Sequence, residues 1–139
     1  MSKEANIAAQ KKFGEAVNTN NYDLFKELVA VDSIDHDPAP GQTPGPEGYA
    51  DFFGMMRDAF ADMELSVEQL SADEDTVSFA YRVKGTHKGE FMGIPASGRS
   101  INVRGMQISK FKDGKMTERW GSSDELGILK QIGATISRA

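Results

Sequence analysis

Apolar residues along the chain change their period near Asp62. From Glu4 to Val17 the apolar positions Ile7, Ala8, Phe13, Ala16 and Val17 fit one face of a helix. After the polar break NTNN, residues Leu24, Phe25, Leu28 and Val29 repeat at helical spacing, with Asn20 or Asn21 available as N-cap. The segment DHDPAPGQTPG holds three of the five prolines, so it reads as a loop. Pro46 then presets the first turn of a third helix, in which Tyr49, Phe52, Phe53, Met56 and Phe60 form an aromatic stripe suited to covering a core.

Beyond Asp62 the period falls to two. Met63, Leu65 and Val67 alternate with polar residues, as do Val77, Phe79, Tyr81 and Val83 after the polar turn ADEDT. A glycine-rich segment, GTHKGEFMGIPASG, follows as a long loop. INVRGMQISKF and MTERWGSSD read as two further strands joined through Lys112-Asp113-Gly114-Lys115, where Asp-Gly suits a tight hairpin turn. ELGILKQIG reads as a last short helix stopped by Gly133. Helices segregated before antiparallel strands predict one α+β domain over 1–139, its curved sheet wrapping the helices and leaving an apolar cavity.

A two-residue turn fixes a register. It pairs Lys112 with Lys115, Phe111 with Met116, Ser109 with Glu118, Gln107 with Trp120, Gly105 with Ser122 and Val103 with Asp124, with Gly105 as a place for a bulge. Without a bulge, Val103, Gln107, Trp120 and Asp124 share one face. The only tryptophan is expected inside, and Asp124 four residues on becomes a carboxylate beside apolar surface. Desolvation raises the basicity of such a group, which suits removal and return of a proton next to a carbonyl. The competing reading is that Asp124, Ser122 or Ser123 caps the following helix.

His87 continues the alternation of Phe79, Tyr81 and Val83 and is expected at the cavity mouth, where it can hydrogen-bond a ligand. His36 sits beside Asp37 in the proline-rich loop and is a lesser candidate for substrate contact. Phe53, Met56, Tyr81, Met92, Val103, Trp120 and His36 make up the expected pocket lining.

Composition narrows the function. The 139 residues carry 21 acidic and 16 basic side chains, a net charge of −5, with no Lys/Arg block matching a phosphate backbone, so no nucleic acid is expected as partner. Cysteine is absent, which excludes disulfides, thiolate metal ligands and a thiol nucleophile. The two histidines lie 51 positions apart without a metal-binding spacing, and the glycines at 85, 89, 93 and 98 form no phosphate-binding fingerprint. Neither metal nor cofactor is expected. No stretch nears the ~18 apolar residues of a membrane span, and the charged N-terminal residues lack a signal-peptide core, so the expected address is cytoplasmic.

GTHKGEFMGIPASGRSI, KFKDGKMTERW and the Trp with an Asp four residues later in WGSSDELGILKQIG together resemble the SnoaL-like polyketide and ester cyclases of the nuclear transport factor 2-like superfamily. The resemblance implies a cone-shaped α+β barrel and, in antibiotic-biosynthesis members, intramolecular aldol closure of a polyketide methyl ester without metal or cofactor. It places the family's acid/base aspartate on Asp124 and its pocket glutamine on Gln107; in the mechanism expected, Gln107 and His87 support the developing charge. Two positions depart from the pattern: Ser109 stands where the antibiotic cyclases tend to have a histidine, and Glu118-Arg119-Trp120 where many relatives read Glu-His-Trp. The chemistry expected is thus acid/base cyclisation of a small apolar carbonyl compound. Double-bond isomerisation or epoxide hydrolysis in the same pocket, or a non-catalytic binder of an apolar metabolite, are the alternatives. Ile101, Met106 and Ile108 would make the outer sheet face sticky, and a homodimer is expected.

Overall fold

A computed structural model describes residues 2–135 and 137. Helix α1 (Lys3–Asn18) is capped by the Ser2 hydroxyl, which accepts the Ala5 N–H, and buries Phe13, Ala16 and Val17. A 3₁₀ turn (Tyr22–Leu24) leads into the short α2 (Phe25–Leu28). Strand β1 (Val29–Asp35) and helix α3 (Pro46–Ala59, with Pro46 in its first turn) complete the N-terminal half. Strands β2 (Glu64–Ala72), β3 (Thr76–Thr86), β4 (Ser100–Lys112) and β5 (Lys115–Ser123) follow, then α4 (Glu125–Gln131). No helix among the described residues is long and apolar enough to cross a membrane.

The five strands form one sheet in the order β1-β5-β4-β3-β2. The α+β expectation holds, but the sheet is mixed: β1 lies parallel to β5, while all other pairs are antiparallel. Strand β1 was not among the expected elements. Its buried residues are Val29 and Ser33, while Val31 and Ile34 are 82% and 53% exposed, so its apolar residues do not mark its inner face. The core forms where α1, α2 and α3 pack on the inner face of the sheet, with Phe13 stacked on Phe25 (4.6 Å between centroids) and edge-on to Tyr49 and Phe53.

The β4–β5 hairpin turns as predicted, with Asp113 (φ 53°) and Gly114 (φ 80°) both left-handed as such a turn requires. Strand β4 alternates buried and exposed without a break over its 13 residues. Strand β5 does not, because a bulge intervenes one residue past Met116. Phe111 pairs with Met116 but Lys110 already pairs with Glu118, leaving Thr117 as the extra residue. Every later pair is shifted by one: Ser109 with Arg119, Ile108 with Trp120, Gln107 with Gly121 and Gly105 with Ser123. A one-residue shift turns each side chain to the opposite face. Arg119, Gly121 and Ser123 therefore face inward and Trp120 outward, which corrects both the expected Gln107–Trp120 pairing and the interior tryptophan.

At a second bulge, Glu68 between Val67 and Gln69, the carboxylate accepts from Arg104 Nε (3.1 Å) and forms an ion pair with Arg82 (3.3 Å), and the two arginines face each other across β3 and β4. Gly105 has a steric role: the Tyr81 ring crosses it to place the phenol oxygen 2.6 Å from Ser123 Oγ, and a Cβ on Gly105 would lie 2.3 Å from that ring. Gly105→Ala is accordingly expected to cost about 1–3 kcal/mol of stability, read as a lower urea midpoint with an unchanged slope. An unchanged midpoint would contradict the packing described.

Candidate functional site

A cavity of about 920 Å³ opens between α3, the proline-rich loop, the inner face of β4–β5 and the start of α4. Phe13, Tyr49, Phe52 and Phe53 form its apolar wall, and Pro38 and Pro40 its rim. Its floor is a continuous polar network. The Arg119 Nη1 donates to both oxygens of Asp35 (3.0 and 3.2 Å), and its Nε donates to Gln107 Oε1 (2.8 Å). Gln107 Nε2 in turn donates to Ser109 Oγ (2.8 Å), and Gln42 Nε2 to the second Asp35 oxygen (3.0 Å). The Asp37 N–H donates to Asp35 Oδ1 (3.0 Å), and the Asp37 carboxylate accepts the Gly121 N–H (2.9 Å).

Strand pairing creates this arrangement. Asp35 and Arg119 are Cα partners in the parallel β1–β5 pair, so the inward turn of Arg119 at the bulge delivers its charge directly onto a carboxylate. The Arg119 and Asp35 side chains are 17% and 9% exposed, well below surface ion pairs. Charges so placed survive only when paired and hydrogen-bonded, a condition that Gln42, Gln107 and the Asp37 backbone satisfy. The buried Tyr49 hydroxyl lies in the same environment. Burial, then the neighbouring negative charge of Asp35, pushes its pKa far above that of an ordinary phenol, so Tyr49 remains a neutral hydroxyl at any physiological pH.

Asp124 stands at the mouth of the cavity, on the residue joining β5 to α4. Its Oδ1 accepts the Gly127 N–H (2.8 Å), so it caps α4, and its other oxygen has no hydrogen-bond partner among the described residues. Asp124, Gln107 and Phe53 line one cavity, but Asp124 is solvent-exposed there and does not share a face with Trp120, so the expected desolvated carboxylate beside the tryptophan is not what the structure places. The other candidates lie elsewhere. His87 is completely buried beside Phe60, its Nδ1 accepting the Ser97 N–H (3.1 Å) and bonded to Ser97 Oγ (2.9 Å); it anchors the long loop and does not reach the cavity. Met56 and Val103 are core residues, and Tyr81 is engaged with Ser123 behind the cavity wall. Met92 is 64% exposed in a left-handed turn (φ 49°), away from the site.

His36 and Trp120 meet each other on the outer face instead. Their rings stack at 4.4 Å and 9°, with the His36 Nε2 3.3 Å from Glu118 and the Lys110 ammonium 5.9 Å from the indole. Sequence reasoning missed Asp35, Asp37, Tyr49 and Arg119 as site residues. Arg119 had a visible signal, as the position where this chain departs from Glu-His-Trp, but its inward direction depends on a bulge that alternation alone does not reveal. Among the described residues no group of three or more His, Asp or Glu side chains could hold a metal ion.

The fold is that of the polyketide cyclase class. The model of the SnoaL-like polyketide cyclases matches residues 7–132, and the chain belongs to that family. The aklanonic acid methyl ester cyclase DnrD of Streptomyces peucetius is 26% identical over 130 residues, covering 88% of this chain and 87% of the relative. The nogalonic acid methyl ester cyclase of Streptomyces nogalater is 27% identical over 123 residues, covering 85% and 90%. Among solved structures, TsrD from Streptomyces laurentii superposes with a TM-score of 0.88 at 24% identity, covering 97% of this chain and 99% of that one. Wild-type IdmH from Streptomyces antibioticus gives 0.81 at 29% identity, covering 93% and 99%.

Removing one member of a buried ion pair strands the other's charge. Arg119→Met is expected to cost about 3–5 kcal/mol, and the double variant Asp35→Asn/Arg119→Met to recover most of it. Urea unfolding of both variants checks this; additive losses would contradict the pair.

Proposed function

We propose that this chain closes a ring in a polyketide-like carbonyl compound by intramolecular aldol addition, with Asp124 as the acid/base group. Asp124 takes a proton from a carbon next to a carbonyl, and the resulting enolate carbon attacks a second carbonyl of the same molecule. The new alkoxide takes the proton back from Asp124. No atoms are gained or lost, so no co-reactant is required. The observation that carries the reading is that Asp124 and Gln107, the two positions where the family resemblance puts acid/base and pocket roles, line one aromatic-walled cavity. The names of the ester cyclase relatives support the reaction class.

One observation favours the second reading, a non-catalytic binder: Asp124 already has a structural role as the α4 cap. Asn caps a helix as well as Asp does but cannot hold a proton, so Asp124→Asn separates the two. With aklanonic acid methyl ester as test substrate, it is expected to lower kcat about 10²–10⁴-fold with unchanged melting temperature. Binding of that ester by the wild type without turnover would establish the binder instead.

We also propose a homodimer through the outer sheet face. Met106 (59% exposed) and Ile108 (44%) border a shallow depression of about 630 Å³ floored by Ala80, Ser78 and Trp120, whereas Ile101, expected on the same face, faces inward and is buried in the core. Its surroundings carry both signs of charge, Arg82 and Arg104 with Glu68 and Glu118, so a two-fold axis can bring opposite charges together. Sedimentation is expected to show a dimer that Ile108→Lys converts to monomer; a monomeric wild type at high micromolar concentration would contradict it.

A further inference from the structure

Arg119 uses only part of its donor set. Nε and Nη1 are committed to Gln107 and Asp35, whereas Nη2 has no hydrogen-bond partner among the described residues. The guanidinium lies over Gly121 on the cavity side of β5, close enough that a Cβ on Gly121 would fall 2.3 Å from Nη2. Gly121 is three residues before Asp124, which at strand rise is about 10 Å of chain. One cavity therefore presents a free, rigidly held cationic donor and, within one substrate length, a carboxylate.

Building on the aldol reading, we infer that Arg119 is the oxyanion donor of this site, a role that suits the uncharged carbonyl substrate of that reading. Nη2 donates to the carbonyl oxygen whose α-carbon loses its proton to Asp124. Negative charge then grows on that oxygen, and the guanidinium stabilises it without transferring a proton. The charge balance suits that substrate. Carboxylate residues Asp35, Asp37, Asp124 and Glu125 line the cavity against the Arg119 guanidinium, the Arg104 guanidinium being engaged with Glu68 on the outer face. That surplus repels a permanent anion, while a neutral ketone or ester acquires charge only at the oxygen that faces Arg119. Asp35 and Gln107 are positioning residues: they fix the guanidinium plane so that Nη2 is the edge left free. Gly121 is the opening that admits it.

The test uses 1,8-dihydroxyanthraquinone, an uncharged polycyclic ketone whose visible band reports ionisation of its phenol. Wild-type protein is expected to bind the dye and raise its ionisation constant at least tenfold. The double variant Asp35→Asn/Arg119→Met, which removes both charges together and so avoids a stranded carboxylate, is expected to bind it with the free-dye constant to within threefold. Gly121→Ala, which displaces the guanidinium, is expected to act the same way, while Asp124→Asn retains the dye shift and loses turnover. A wild type that leaves the dye unbound or neutral, or a shift that survives in the double variant, overturns the inference. Full turnover by Asp124→Asn overturns instead the aldol reading on which it rests.

Discussion

The ion pair between Asp35 and Arg119 joins the edge of the sheet to its functional centre, and the geometry of the cavity follows from it. It can form only because β5 carries one extra residue, Thr117, which turns Arg119 from the outer to the inner face. A guanidinium directed into a core region is costly unless a carboxylate and further acceptors meet it. Strand β1 supplies the carboxylate by pairing parallel to β5 at that residue, and β4 supplies Gln107. The same contacts that compensate the buried charge thus define the polar floor of an otherwise aromatic cavity.

The two faces of β5 consequently serve different ends. Inward lie Arg119, Gly121 and Ser123, leading to Asp124 at the cavity mouth. Outward lie Glu118 and Trp120, which meet His36 and adjoin the apolar surface of Met106 and Ile108. His36 and Asp35 divide in the same way across β1 and its exit: one packs on the tryptophan, the other holds the arginine. The Asp35-His36-Asp37 segment therefore contributes to both sides of the sheet, with Asp37 fixed to the Gly121 N–H between them.

Local signals in the sequence located the helices, four of the five strands, the Asp-Gly turn and the terminal glycine stop, because each depends on near neighbours. Gly133 does end α4 with a left-handed φ of 84°. Strand β1 escaped since its valine and isoleucine at 31 and 34 face out. Gln107 was legible because β4 alternates without interruption, whereas Trp120 and Arg119 were not, since a single unpaired residue inverted everything after Met116. The His87 expectation failed for a related reason. Its strand parity was right, but the chain folds over it and Ser97 takes up its ring nitrogen. Alternation reports which side of a sheet a residue is on, not whether that side is a cavity or a packed core.

The register of β5 against β4 is the most direct thing to measure. Cross-strand proton–proton contacts in the NMR spectrum of the intact chain are predicted between Ile108 and Trp120 and between Gln107 and Gly121. Slow exchange of the Arg119 Nε proton is predicted alongside them, as befits a donor committed to Gln107. Contacts between Gln107 and Trp120 and between Gly105 and Ser122 would mean an unbulged strand with Arg119 facing out. The polar floor, the ion pair and the oxyanion role would then all be wrong.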